Sequence, residues 1–147
     1  GFALKEKVKR WLQGKKILFE DLGNPQYDAN DDYPDYAAKV GRAVADHHSR
    51  GILFCGSAEG ICIAANKIKG VRAVAVWKPR LAQQSREHND ANVLCLSGGG
   101  TLKKVPGMGL SLSEATKIIQ KFIETPFSGE QRHARRINNI RKLEQST

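Results

Sequence analysis

Residues 51–67 read GILFCGSAEGICIAANK, and this stretch decides the fold. Its first five residues form a continuous apolar run, which is typical of a strand buried on both faces of a parallel sheet. The glycine-containing turn GSAEG follows at 56–60, and the apolar pattern of 61–67 then indicates a helix. The stretch therefore predicts a strand–turn–helix unit with Cys55 at the carboxyl end of its strand.

The rest of the chain repeats this alternation. The patterns predict further strands at 16–20, 71–76 and 92–96, helices at 2–13, 34–49, 79–89 and 112–123, and a last basic helix at 131–143. Strands that alternate with helices indicate an α/β fold with a parallel sheet. The chain opens on a helix, whereas a doubly wound sheet has a strand there, so we expect a first strand to precede Gly1. The glycine-rich residues 97–110 are expected to be flexible.

Composition is that of a soluble globular domain, which we expect to cover 1–147. The chain is 40% hydrophobic and 27% charged, and it has no apolar run of the ~20 residues that span a bilayer. No signal-peptide pattern opens it, so a cytoplasmic location is expected, with no membrane partner. Cys55, Cys62 and Cys95 are predicted to be free thiols. No C-x-x-C pair occurs, so no metal site is expected.

The formal net charge of +9 raises the question of an anionic partner. Nucleic acid is one reading of such a charge, but the basic residues are spread along the chain and few aromatic residues accompany them. The one dense basic cluster lies near the C-terminus, at Arg132, His133, Arg135, Arg136, Arg141 and Lys142. A small anionic ligand explains this cluster equally well, so no nucleic-acid partner is predicted.

Cys55 is the candidate catalytic residue. The turn behind it places backbone N–H groups at the start of a helix, which favours anions. The phosphate-loop pattern is absent, whereas a thiolate in this position can take a proton from a carbon next to a carbonyl, and the N–H groups can hold the resulting enediolate. The alternative is that Cys55 is a small buried apolar residue, as Cys62 and Cys95 are expected to be. Glu59 is either a second base or a solvated carboxylate.

Other side chains are candidates for ligand contacts. Arg132 and Arg136 are spaced i, i+4, so both can reach one phosphate, or they can belong to a solvated basic helix. His88 ends a predicted helix just before a strand, where it can act as a general acid. The other histidines, including His133, are expected at the surface. Tyr33 lies in a predicted loop from which it can reach a ligand.

Five segments, in this order, resemble the B-type ribose-5-phosphate isomerases and the related galactose-6-phosphate isomerase subunits. They are GFALKEK at 1–7, DYPDYA at 32–37, CGSAEGICIAANK at 55–67, REHNDANVL at 86–94 and RHARR at 132–136. The resemblance implies a Rossmann-like three-layer fold with a mostly parallel five-stranded sheet. It also implies a homodimer or tetramer with active sites between subunits, no metal or organic cofactor, and isomerisation of a sugar phosphate, with ribose 5-phosphate and ribulose 5-phosphate as the expected pair.

The resemblance also assigns site residues. Three are implied in catalysis: Cys55 as the base between C1 and C2, Ser57 near the substrate oxygens, and His88 in ring opening. Six are implied in substrate binding: Tyr33, Gly56, Gly60, Asn89, Arg132 and Arg136, of which the glycines belong to the anion-hole loop and the arginines contact the phosphate.

Three departures from the family pattern concern the substrate. Family members begin with a strand ending in S-D-H-A-G-F, so its aspartate and histidine are expected to precede Gly1. The turn carries Ala58 and Glu59 where a glycine and an apolar or amide residue are usual. The segment 97–110 is longer than usual, with Lys103 or Lys104 in place of an arginine. Two alternatives therefore stay open: an isomerase of another four- to six-carbon sugar phosphate, such as allose or galactose 6-phosphate, or a non-catalytic sugar-phosphate-binding subunit.

Overall fold

The computed structural model describes residues 1–99 and 108–145. Within this part, six helices and three strands follow the predicted order, except that the strand expected at 16–20 is absent. In chain order they are α1 (Phe2–Gly14), α2 (Tyr33–His47), β1 (Gly51–Cys55), α3 (Glu59–Ala65), β2 (Ala73–Ala75), α4 (Pro79–Asn89), β3 (Val93–Ser97), α5 (Leu112–Glu124) and α6 (Gln131–Leu143).

The three strands form one parallel sheet in the order β1-β3-β2. Leu53 of β1 pairs with Cys95, and Ala73 of β2 pairs with Val93, so β3 lies in the middle. All five residues of β3 are buried. The predicted parallel α/β fold is confirmed, although the described residues form three strands and not the five that the family resemblance implies.

Helices cover both faces of the sheet because the side chains of β3 alternate between them. Leu94 and Leu96 pack with α1, α4 and α5 on one face. Val93 and Cys95 pack with α2 and α3 on the other. The helix α6 lies outside this sandwich and packs on α4. The arrangement therefore has the expected three layers. Because the strands are parallel, their C-termini all lie at one edge of the sheet.

The predicted strand at 16–20 is wrong. This segment is irregular, with Leu18 98% exposed. The physical reason is that no strand of the described residues lies beside its backbone; the segment and β1 instead line a common cavity of about 620 Å³. Residues of α2 also line this cavity. Among the described residues, β1 has a strand neighbour on one side only, which is β3.

Side-chain hydrogen bonds stabilise both ends of α5. At its N-terminus Ser111 and Glu114 form a reciprocal capping box. At its C-terminus the Arg50 guanidinium donates to the carbonyl of Phe122 (2.9 Å), and buried Arg86 donates to the carbonyl of Thr125 (3.2 Å). Cations at a helix C-terminus compensate the partial negative charge of its free carbonyls. Arg86 thereby joins α4 to α5.

In the described part of the chain, no helix combines the length and apolar character that crossing a membrane requires.

The irregular segment after α1 is held by an ion-pair cluster, and this gives a first prediction. Burial would raise the pKa of Asp21, but hydrogen bonds from Lys9 and Lys5 outweigh it and lower that pKa to about 2. Since this lies below the ordinary 3.8, the ionised carboxylate stabilises the fold above pH 4, and its contribution disappears as the pH falls through about 2. We expect Asp21→Asn to lower the free energy of unfolding by about 1 kcal/mol at pH 7, a value reduced by solvent screening.

Urea unfolding at pH 7, 4 and 3 measures this effect. The matched control is Asp46→Asn, which removes the same charge from an exposed side chain and should cost nothing. An Asp21→Asn penalty that stays constant down to pH 3 would contradict the ion-pair explanation.

Candidate active site

Cys55 lies at the carboxyl end of β1 and is partly exposed. Cys55 lines the cavity beside β1, together with Gly56 and Tyr33. The turn behind it is fixed from β3: Ser97 Oγ donates to the Gly56 carbonyl (2.6 Å), and the Gly98 N–H donates to the Cys55 carbonyl (2.8 Å). Cys55 therefore contributes to the wall of the cavity and also packs against the core cluster of α2 and α3.

The turn leaves backbone donors available. Ser57 Oγ accepts the N–H of Glu59 (3.4 Å), while the N–H groups of Ser57 and Ala58 meet no acceptor within the described part of the chain. Ala58 has a left-handed backbone with φ +69° although it is not glycine. This conformation strains a residue with a Cβ, and the fully buried Ala58 methyl group packs beneath the turn. The anion-binding role of this turn stays a prediction.

Tyr33 is the first residue of α2 and not part of a loop as expected. Its ring lies directly on Gly60: a Cβ at Gly60 would be 2.7 Å from Tyr33 Oη and 2.8 Å from Cζ. A side chain at this position would therefore force the Tyr33 ring to move away from the turn. We call Tyr33, Cys55, Gly56, Ser57 and Gly60 the cysteine half-site.

His88 and Asn89 occupy the last turn of α4. The His88 ring stacks on the ring of His133 from α6, with centroids 4.4 Å apart and planes inclined by 33°. Asn89 is exposed, and its carbonyl accepts from Arg72 Nε (3.0 Å). A groove along β2 extends to both His88 and Asn89.

The two candidate phosphate ligands lie next to these residues on α6. Arg132 and Arg136 are both exposed. Arg132 Nε donates to Glu130 Oε2 (2.7 Å), and this hydrogen bond lowers the pKa of Glu130. No carboxylate in the described residues pairs with Arg136. We call His88, Asn89, Arg132 and Arg136 the histidine half-site.

The two half-sites lie at opposite edges of the sheet. Cys55 is the last residue of β1, whereas His88 lies in the helix that leads into β3. The Gly51 N–H at the beginning of β1 donates to the Asn92 carbonyl (2.8 Å), so the residues between α4 and β3 lie beside the start of β1. The five residues of β1 alone separate the edges by about 13 Å. The residues predicted for the site therefore fall into two separate groups, which one chain does not bring together.

His133 is a correction to the sequence analysis, which expected it at the surface. It is only 3% exposed, because the inward face of α6 consists of His133 and Ile137. The i, i+4 spacing of these two residues, between basic residues, is the pattern in the sequence that could have indicated a buried face of α6. In contrast, Cys95 is buried as expected, and its hydrogen bond with Cys62, together with burial, raises the pKa of its thiol, which keeps it protonated.

The remaining expectations are settled only in part. Lys103 and Lys104 lie outside the described residues. Gly1 packs against the end of β1, since a Cβ there would overlap the Phe54 carbonyl group and lie 2.7 Å from the Cys55 nitrogen. Across residues 1–99 and 108–145, no group of three or more His, Cys, Asp or Glu side chains is placed to hold a metal ion.

Comparison with known proteins gives a consistent result. The family model described as Ribose/Galactose Isomerase matches residues 1–140. The ribose-5-phosphate isomerase B of Escherichia coli K12 is 38% identical over 99% of this chain and 91% of that protein. The crystal structure of ribose-5-phosphate isomerase B from Mycoplasma genitalium with bound ribulose-5-phosphate has a TM-score of 0.88 and 40% identity, covering 100% of this chain and 91% of that one.

A third relative agrees with these two. The ribose 5-phosphate isomerase of Thermotoga maritima has a TM-score of 0.85 and 41% identity, over 96% of this chain and 90% of that one. Fold, site and comparisons together define a Rossmann-like α/β protein of the sugar-isomerase class. The chain belongs to the ribose/galactose isomerase family, which confirms the resemblance found in the sequence.

The contact between Tyr33 and Gly60 gives a second prediction. Alanine is about 1 kcal/mol more favourable than glycine in a helix, but at Gly60 its methyl group would collide with the Tyr33 ring. We expect Gly60→Ala to destabilise the wild-type chain and to stabilise the Tyr33→Ala variant. Chemical denaturation of the four proteins measures the coupling, which should be about 1 kcal/mol or more. Equal effects of Gly60→Ala in both backgrounds would show that the two residues do not interact.

Proposed function

We propose that this chain interconverts ribose 5-phosphate and ribulose 5-phosphate as an aldose–ketose isomerase. The observation that carries the proposal is the partly exposed Cys55 thiol at the carboxyl end of β1, beside backbone N–H groups that have no acceptor in the described residues. Membership of the ribose/galactose isomerase family supports it, as does the relative whose structure holds ribulose-5-phosphate.

The chemistry needs one base and one oxyanion site. In the open-chain aldose, the Cys55 thiolate removes the proton from C2, and the electrons of that bond form the C1–C2 double bond of the enediolate. The N–H groups of the turn, with Ser57, hold the developing negative oxygen. The thiol then returns the proton to C1, and the proton of the C2 hydroxyl moves to solvent or to O1 as the ketone forms. No electron acceptor is required, because C1 is reduced as C2 is oxidised.

The histidine half-site supplies the remaining functions. Arg132 and Arg136 offer two exposed guanidinium groups on one helix, which suit the phosphate. His88 is half-buried in the last turn of α4, where it serves as the general acid that opens the sugar ring, with Asn89 next to it. Tyr33 faces the substrate from the cysteine half-site.

One substrate cannot contact both half-sites of one chain, because they lie at opposite edges of the sheet. A twofold dimer solves this problem, since the cysteine half-site of one copy can face the histidine half-site of the other, and symmetry then creates two complete sites. The family resemblance also implies sites between subunits, in a dimer or a tetramer.

A third prediction tests both the thiolate and the shared site. We expect Cys55→Ala and His88→Ala to be nearly inactive alone, while both retain binding of ribose 5-phosphate. When the two variants are refolded together, half of the dimers are mixed, and each mixed dimer has one intact site and one doubly altered site. Activity should therefore recover to about one quarter of the wild-type value.

The readout is the rate of ribulose 5-phosphate formation, and each variant refolded by itself is the control. No recovery in the mixture, with mixed dimers demonstrated by mass spectrometry, would contradict the shared site. Unchanged turnover of Cys55→Ala would contradict the role of the thiol.

A fourth prediction concerns the phosphate. Replacing Arg132 and Arg136 together by alanine should raise KM for ribose 5-phosphate by about 100-fold or more, because each of the two charged hydrogen bonds contributes about 1.5–3 kcal/mol and about 1.4 kcal/mol is tenfold. The matched control replaces Arg135 and Arg141 on the same helix, which removes equal charge from exposed side chains. Similar KM changes in both double variants would indicate a general electrostatic effect and not a phosphate clamp.

A further inference from the structure

His133 is a buried imidazole that the proposed reaction does not use. It is 3% exposed, although its neighbours Arg132 and Ala134 are more accessible. One face of its ring is covered by the His88 ring, at a centroid distance of 4.4 Å. A buried polar ring needs a hydrogen-bond partner, and this partner is Ser128, whose Oγ is 2.8 Å from His133 Nδ1.

Ser128 is itself held in place from two sides. Its N–H donates to the carbonyl of Glu87, the residue before His88 (3.1 Å). Its Oγ accepts the N–H of Glu130 (3.3 Å), and Gly129, with φ +69°, makes the turn between them. Ser128 Oγ therefore joins the turn to His133 Nδ1 through one hydrogen bond, in which a hydroxyl can act as donor or acceptor according to the imidazole tautomer.

We propose that Ser128 and His133 are positioning residues that orient His88 for ring opening; this inference rests on the proposed function. His88 lies in the last turn of α4, where helices fray and side chains have rotational freedom. Stacking on a ring that is itself fixed by a hydrogen bond restricts the His88 imidazole to one plane. A general acid must be held within hydrogen-bond reach of the atom it protonates.

The two substrates differ in their need for this step. Ribose 5-phosphate closes to a furanose through O4, so the C1–O4 bond must break, O4 must gain a proton, and O1 must lose one to form the aldehyde. Ribulose 5-phosphate cannot close a furanose, because its O5 is esterified. Removal of its C1 proton requires the Cys55 base and the anion-binding turn but no ring-opening acid.

This difference gives a fifth prediction. Ser128→Ala should lower turnover of ribose 5-phosphate about tenfold, part of the contribution expected of a general acid. It should leave the exchange of the C1 hydrogen of ribulose 5-phosphate with D2O within about twofold of wild type, since that reaction bypasses ring opening. Ser128→Thr retains the hydroxyl and should restore turnover. His133→Phe retains a flat ring without nitrogen and should behave as Ser128→Ala does, with its fold checked by thermal unfolding.

The outcomes separate this inference from the proposed function. Equal losses of turnover and exchange in Ser128→Ala would overturn the positioning role, as would wild-type rates in both assays. An increase in KM alone would also overturn it, because it would assign Ser128 and His133 to substrate binding. Absence of both reactions in the wild-type protein would instead refute the proposed function. The reference for loss of both reactions is Cys55→Ala.

Discussion

The parallel pairing of β3 with both of its neighbours is the constraint on which the rest of the structure depends. Val93–Ser97 are buried on both faces and fix the direction of β1 and β2. In a parallel sheet, all strands end at one edge and the helices that return the chain end near the other. Residues after β1 and residues at the end of α4 are consequently separated within one chain. The division into a cysteine half-site and a histidine half-site follows from strand direction alone.

Most of the fold was predictable because its signals are local. The apolar run 51–55 and the boundaries of α4 were predicted correctly, and Ser111 caps α5 with a full capping box. The strand at 16–20 failed because strand formation depends on a neighbour, which composition does not reveal. With Leu18 fully in solvent and no ladder beside it, this segment is fixed by the ion pairs of Asp21.

The sequence nominates the residues of the candidate site but does not show how they are arranged. Cys55 and the turn after it were recognisable from a strand followed by glycines, and Arg132 and Arg136 from helical spacing. The separation of the two groups required the topology. His133 was missed because a basic surrounding sequence suggests exposure, whereas burial here results from packing of α6 on α4. Ser128 gave no sequence signal, since its partner lies across a turn that only the three-dimensional structure defines.

The distribution of charge is consistent with pairing between the two kinds of half-site. Around Tyr33 the chain carries four exposed aspartates, and Glu59 adds another carboxylate beside the turn; these residues are Asp28, Asp31, Asp32, Asp35 and Glu59. The helix α6, in contrast, is strongly basic. A phosphate is repelled by the acidic surface and attracted to the basic one, which supports the proposal that the histidine half-site binds the phosphate end of the substrate. The same contrast attracts unlike edges of two copies and repels like edges. Electrostatics is therefore consistent with the proposed dimer, in which the cysteine half-site of one copy faces the histidine half-site of the other.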